Sequence, residues 1–335
     1  MEIVMKNLIK KLVEATAPSG YEANLRPVIE EALEGFVDDL RVDGLGNLIV
    51  RKRPVKEEAP TIMLAAHMDE IGLMVTHVDE NGFARFTKIG GVYPRYTAGA
   101  RVRFLNGAAG VIGMEPHNNS SSVPGMDKMF IDLGVSSAKD CPVEVGDVAA
   151  FERTYEDLGD RLVSKAMDDR VGVAVLVKAL QDMKDTPNNV YAVFTVQEEI
   201  GARGAGRAAF GIEPDLALAI DVTLCGDTPQ NKATQVELGK GPAVHIKDVG
   251  TIADPRVTEW IKKGAKRARI PVQTSILKGG YTDTYSIQTS RAGVPSGGIS
   301  IPCRYVHSPS EMVDVSDLIN SAKLLVALLS KPIKF

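Results

Sequence analysis

Cysteine is scarce in this sequence of 335 residues: Cys141, Cys225 and Cys303 are the full complement, an odd number with no Cys-x-x-Cys pair. That argues against a disulfide framework and for a reducing cytoplasm. A basic excess is missing as well. Lys and Arg total 39 against 43 Asp and Glu, for a net charge of −4, whereas a nucleic-acid binder carries the opposite balance. No stretch approaches the ~20 consecutive apolar residues of a membrane span. The first twenty residues, MEIVMKNLIKKLVEATAPSG, are too charged for the apolar core of a signal peptide. Neither nucleic acid nor membrane is therefore expected as a partner, and the expected location is cytoplasmic. No internal repeat or low-complexity tract occurs. Apolar residues make up 44% of the chain, too many for a disordered one. A chain of this length needs no disulfide staples, and ~150 residues per domain suggests about two domains.

The apolar pattern gives a coarse architecture. Val4, Leu8 and Leu12 recur at helical spacing and predict a helix over 3–16. Pro18-Ser19-Gly20 ends it, and Ser19 followed by Glu22 fits a capping box. Leu25, Val28, Ile29 and Leu33 stripe a second helix, which Pro27 should kink or restart. Residues 40–52 alternate like strands around Gly44 and Gly46. Short continuous apolar runs then recur at 62–66, 190–196, 216–220 and 299–301, as expected of strands buried on both faces. Helical stretches at 171–183, 256–268 and 315–329 alternate with them. The fold class this implies is α/β, a mixed but mostly parallel sheet flanked by helices. Residues 72–163 differ. They are Gly-rich with short strand-like runs, and Asn81-Gly82 and Asn106-Gly107 are hairpin turn pairs. This segment reads as a small β-barrel or sandwich inserted into the α/β domain, which then comprises 1–71 and 164–335. Residues 117–129, HNNSSSVPGMDKM, read as a mobile loop.

Chemistry-bearing side chains follow the apolar runs. His67 and Asp69 follow the first, Glu198 and Glu199 another, Asp221 a third and His307 the last, while Asp168 precedes a helix. In open α/β sheets ligands bind beyond the carboxyl ends of the strands, so these groups should converge. Clustered carboxylates repel and raise one another's pKa, a problem that divalent cations remove. Two dications with three carboxylates and two neutral imidazoles leave one positive charge to polarise a carbonyl and acidify a water. Paired metals serve this purpose in aminopeptidases and phosphatases. Imidazole with carboxylate suits Zn²⁺ or Co²⁺ better than Mg²⁺ or Ca²⁺. Each residue also has a plainer reading: Asp168 as a helix cap (a task Asp169 can take over), Glu198-Glu199 as a solvated pair, Asp221 as a turn cap, His67 and His307 as packed or loop histidines.

The motifs AAHMDEIG (65–72), SKAMDDRVG (164–172), VQEEIGARGA (196–205), AIDVT (219–223) and RYVHSPSE (304–311) together resemble the M42 family of metallo-aminopeptidases, in order and spacing and over nearly the whole chain. The resemblance implies a zinc-peptidase-like catalytic domain and a β-barrel insert that makes dimer contacts. It implies that His67 and Asp221 bind one metal, Glu199 and His307 the other, and that Asp168 bridges both. Glu198 would be general base and acid, and Asp69 would hydrogen-bond His67 and fix its tautomer. A cis peptide between Asp168 and Asp169 is also implied. On this reading a metal-bridged water gives a proton to Glu198, and the resulting hydroxide attacks the N-terminal peptide carbonyl of a short peptide. A homo-oligomer built from dimers, often a dodecamer, is implied as well. One departure occurs in Lys278-Gly279-Gly280-Tyr281-Thr282-Asp283, where Tyr281 replaces an expected small residue and obscures the substrate side-chain preference. A related dimetal amidohydrolase, a deacylase or dipeptidase, would use the same ligands and base. A binding protein with a decayed site is disfavoured because every ligand is present. The remaining groups read as structural: His77 and His245 in strand-like runs, His117 in the loop, Cys225 outside the ligand set. The same holds for GARGAG at 201–206, which lacks the P-loop ending, and for the basic run at 262–267, a solvated helix face.

Overall fold

The computed structural model describes residues 2–116, 123–232 and 234–333. Among these, eleven strands form one mixed sheet and six more close into a barrel. The centre of the large sheet is parallel. Thr61–His67 lies between Asn189–Thr195 and Leu216–Leu224, and Leu216–Leu224 pairs in turn with Ser296–Arg304. These are the expected apolar runs, and their alternation explains why they are apolar throughout. Ile62, Leu64 and Ala66 share a core with the helices Glu2–Glu14, Arg26–Leu33, Met167–Asp182, Pro255–Ala268 and Val315–Leu329. Met63 and Ala65 point the other way, against Arg203–Ile212 and Thr284–Ile287. Successive strand residues face opposite sides, so a strand covered on both faces has no polar side left.

Local chemistry sets the boundaries. Pro27 stands in the first turn of Arg26–Leu33 and starts that helix. Asp254 caps Pro255–Ala268 by accepting a hydrogen bond from the Arg256 N–H at 2.8 Å. Lys262, Lys263, Lys266 and Arg267 lie on that helix's exposed face. The capping box at Ser19 does not form. Ser19 donates its hydroxyl to the Asp69 carboxylate at 2.5 Å, and Glu22 accepts from the Gly20 N–H instead. Residues 40–52 are an antiparallel pair, Asp39–Val42 and Leu48–Lys52, turned at Gly46 with φ +107°.

The barrel runs in the closed order Gly72–Val78, Ala84–Ile89, Met129–Asp132, Ala109–Met114, Arg101–Phe104, Val148–Phe151. Gly82 and Gly107, both at φ +91°, turn its two predicted hairpins, where a residue with a Cβ would be strained. Leu73, Val75, Phe86, Val102, Phe104 and Ile131 fill the interior. The last barrel strand ends at Phe151. Glu156–Asp157 and Arg161–Ser164, within or overlapping the 72–163 segment, pair in the large sheet beside Glu311–Asp314. Of the predicted 117–129 loop, 117–122, with His117, lies outside the described residues, whereas Met126–Lys128 forms a short 3-10 turn leading into a barrel strand. Among the described residues no helix is long and apolar enough to cross a membrane.

Candidate dinuclear metal centre

His67 is the last residue of its strand, in register with Thr195. Glu198 and Glu199 follow Thr195 after a left-handed residue, Gln197 at φ +58°. Asp221 lies inside Leu216–Leu224 and not after its end. Pairing with the His67 strand stops at Ala219, however, so Asp221 stands beyond the edge of that ladder. His307 sits on a left-handed turn with φ +63°, three residues past Arg304. The peptide between Asp168 and Asp169 is cis. Helical geometry begins after Asp169, whose carboxylate accepts from the Gly172 N–H at 3.0 Å as a cap and from the His67 N–H at 3.2 Å.

Two clusters result, and Asp168 belongs to both: His67, Asp168 and Asp221, and Asp168, Glu199 and His307. The His67 Nε2 lies 3.1 Å from Asp168 Oδ1 and 4.0 Å from Asp221 Oδ1. The His307 Nε2 lies 3.3 Å from Asp168 Oδ2 and 3.2 Å from Glu199 Oε1. Ligand atoms about 2.0–2.1 Å from a tetrahedral zinc lie about 3.3 Å from one another, so this donor set fits a cation in each cluster. Each oxygen of Asp168 faces a different imidazole, as a bridging carboxylate requires.

Asp69 acts on both sides of the site. The His67 Nδ1 is 3.1 Å from the Asp69 main-chain oxygen and 3.4 Å from its carboxylate. The nearer acceptor on that ring is thus the backbone. The carboxylate accepts instead from the backbone N–H groups of Glu198 and Glu199, at 3.0 and 3.1 Å, and from Ser19. Glu198 is buried, and its Oε1 has no hydrogen-bond partner among the described residues.

Protonation follows from this crowding. Burial disfavours a charged Asp168, but hydrogen bonds from His307 and His67 outweigh it and hold its carboxyl well below the usual range. Burial also works against charge on His307, yet Glu199 and Asp168 push its imidazole up to about 12. His67 is raised well above its ordinary value for the same reason, burial being overcome by Asp168 and Asp69. Burial raises Asp221 and Glu198 strongly, with neighbouring carboxylates adding to it. Without cations, protons on the two histidines balance the Asp168 carboxylate, and burial holds Asp221 and Glu198 toward their neutral forms.

Residues not singled out from the sequence hold the cluster residues in place. Glu311 is buried and accepts from the Asp168 N–H at 3.0 Å and the His307 N–H at 2.7 Å, one per oxygen. Glu70, Lys165 and Arg170 form a buried ion cluster that also bonds the carbonyl oxygens of Leu12 and Ala15, tying the N-terminal helix to the site. A Cβ on Gly91 would lie 2.2 Å from the His307 Nδ1, so only glycine lets that loop close on the imidazole. Glu70, Lys165, Arg170 and Glu311 all stand within the quoted motifs, and Gly90-Gly91 is a visible close-approach signal. Tyr281 packs on Tyr285 and reaches the Glu198 carbonyl oxygen at 3.4 Å. Cys225, its thiol pushed up to about 12 by burial, is in neither cluster. His245 is buried 3.2 Å from Asp248, and His77 lies in a barrel strand.

Known proteins bear on these observations. The family model described as M42 glutamyl aminopeptidase matches residues 46–324. A putative aminopeptidase of Acetivibrio thermocellus is 46% identical over 324 residues, 96% of this chain and 97% of that one. The solved structure of an aminopeptidase from the archaeon Desulfurococcus kamchatkensis superposes with a TM-score of 0.94 at 42% identity, covering 98% and 95% of the two chains. That of the Pyrococcus horikoshii TET1 peptidase, described as assembling into a tetrahedron or a large octahedral shell, superposes with a TM-score of 0.89 at 32% identity, covering 98% and 99%. This chain therefore belongs to the M42 glutamyl aminopeptidase family and is a peptide hydrolase.

Proposed function

We propose that this aminopeptidase removes the N-terminal residue from short peptides with two divalent cations, Zn²⁺ or Co²⁺, held by His67, Asp168, Asp221, Glu199 and His307. The observation that carries the reading is the pair of clusters sharing Asp168. When bound, the cations would polarise the scissile carbonyl and make a water acidic. The protein's own groups do the rest. Glu198 is the general base: it is buried beside both clusters with one oxygen unengaged, and burial gives it a high proton affinity. It takes a proton from the attacking water and returns it to the departing amine. Asp69 is the positioning residue that fixes the backbone of Glu198 and Glu199, and its main-chain oxygen orients His67. Glu311 does the same for Asp168 and His307.

The assembly we infer is a homo-oligomer built from dimers through the barrel, with a dodecamer the expected form, located in the cytoplasm. The support for an oligomer is that the TET1 peptidase can assemble into a tetrahedron or a large octahedral shell. The test of function is hydrolysis of unblocked aminoacyl anilides against their N-acetylated forms after metal removal and add-back. Turnover restored by metal and confined to the free amine is expected. Equal turnover of the acetylated substrates would identify a deacylase instead.

A further inference from the structure

A groove of about 540 Å³ runs along the junction of barrel and large sheet, lined by Arg95, Tyr96, Arg101, Arg153, Tyr305 and Ser308 among others. We infer that this groove binds a carboxylate on the departing portion of the peptide substrate, an inference that rests on the aminopeptidase reading above.

Its charge is unbalanced. The one acid in the lining, Glu152, is hydrogen-bonded to Arg103 and lies 3.9 Å from Arg101. Among the described residues, Arg95 and Arg153 have no carboxylate partner. Three arginines line the groove with one carboxylate that is already engaged, which leaves an excess of positive charge for an anion. The planar fork of arginine matches a carboxylate in two parallel hydrogen bonds.

Arg95 is also held in place. Its guanidinium packs on the rings of Tyr93 and Tyr96, 4.9 and 4.6 Å from their centroids. The Tyr93 ring in turn lies 6.1 Å from the His307 imidazole. A single aromatic ring thus separates this cation from a candidate metal ligand. The loop that carries it is fixed at Gly91, packed on His307, and at Thr97, which donates to the Tyr93 carbonyl at 2.8 Å. Peptide residues advance about 3.3–3.6 Å each when extended. With its first carbonyl at the metal centre, a tri- or tetrapeptide would carry its C-terminal carboxylate about 7–11 Å farther on, a reach of the same order as the two contacts of 6.1 and 4.9 Å that lead from His307 through Tyr93 to Arg95. The groove would favour short substrates because only their free ends lie so near the scissile bond. An Asp or Glu side chain in the departing portion offers the same chemistry.

The experiment compares a tripeptide with its C-terminal amide, and an amidated tripeptide carrying Glu at its second position with its Gln counterpart. It uses the metal-loaded enzyme and the N-terminal residue whose anilide is turned over fastest. In the wild type the free acid should show a KM about five- to tenfold below the amide with similar kcat. That ratio should fall to near one in R95Q/R153Q. Because the ratio is taken within one protein, misfolding or metal loss moves both substrates alike. A preference for Glu over Gln that vanishes in the same variant supports the groove with a side chain as the source. Cleavage of all four peptides with equal KM, or a preference that survives in R95Q/R153Q, overturns the inference alone. If none is cleaved and the anilide also resists, the aminopeptidase reading falls and the inference with it.

Discussion

Replacing Glu311 by Gln tests how the bridge at Asp168 is built. Each oxygen of Glu311 accepts one backbone N–H, from Asp168 at 3.0 Å and from His307 at 2.7 Å. Glutamine keeps the shape but offers one acceptor. Its NH₂ group must face the other N–H, so one hydrogen bond is lost and a buried donor is stranded. An unsatisfied buried group costs about 1–3 kcal/mol. If the loaded site needs both backbones fixed and the empty site tolerates relaxation, most of that cost falls on metal binding. The expected loss is about 10–100-fold in affinity, the range usual for groups that orient ligands. Glu311 fixes the backbone of both His307 and Asp168, the residue the two clusters share, so both cations should weaken. The assay is a chelator-competition titration with metal content per subunit, run beside a thermal melt of the metal-free protein. Two cations bound at wild-type affinity would refute the reasoning, because Glu311 would then be a packing residue only.

Glu198→Gln should keep both cations, measured by metal analysis, yet lose about 10²–10⁴-fold in kcat, the usual share of a positioned acid-base group. Gly91→Ala should displace the His307 imidazole, since its Cβ would fall 2.2 Å from Nδ1; metal analysis should show the His307 cluster emptied while circular dichroism stays unchanged. Loading should release protons. The folded pKa of His307 is raised to about 12 from an ordinary 6.5, so its charged form stabilises the metal-free protein fully below about pH 6.5, and that stability fades as pH climbs toward 12. A cation requires neutral imidazole, so apparent affinity should rise with pH, and calorimetry in buffers of different ionisation heat should count the expelled protons.

Much of this architecture was legible because its strands are covered on both faces. Ile62 to Ala66 must be apolar throughout when alternate residues enter opposite cores, and Asn-Gly pairs mark turns where only positive φ closes a hairpin. The polar residues at strand ends pointed to the site for an equally local reason. What escaped was set by distant partners. Ser19 looked like a helix cap, but Asp69, fifty residues on, takes its hydroxyl. Asp221 follows the apolar run 216–220, yet its strand continues to Leu224 because Ser296–Arg304 pairs alongside it. The task of Glu311 depends on two backbone N–H groups, one of them 143 residues away, and no periodicity encodes that. Residues 156–163 fall in the segment that reads as barrel but pair in the large sheet, because short β runs look alike wherever they pair.

Anomalous diffraction from crystals of the zinc-loaded protein tests the central claim most directly. Two peaks per subunit about 3.5–4 Å apart, flanking the Asp168 carboxylate with His67 and Asp221 on one side and Glu199 and His307 on the other, are the expected result. A lone peak, or peaks away from Asp168, would contradict the shared-carboxylate centre on which the account stands.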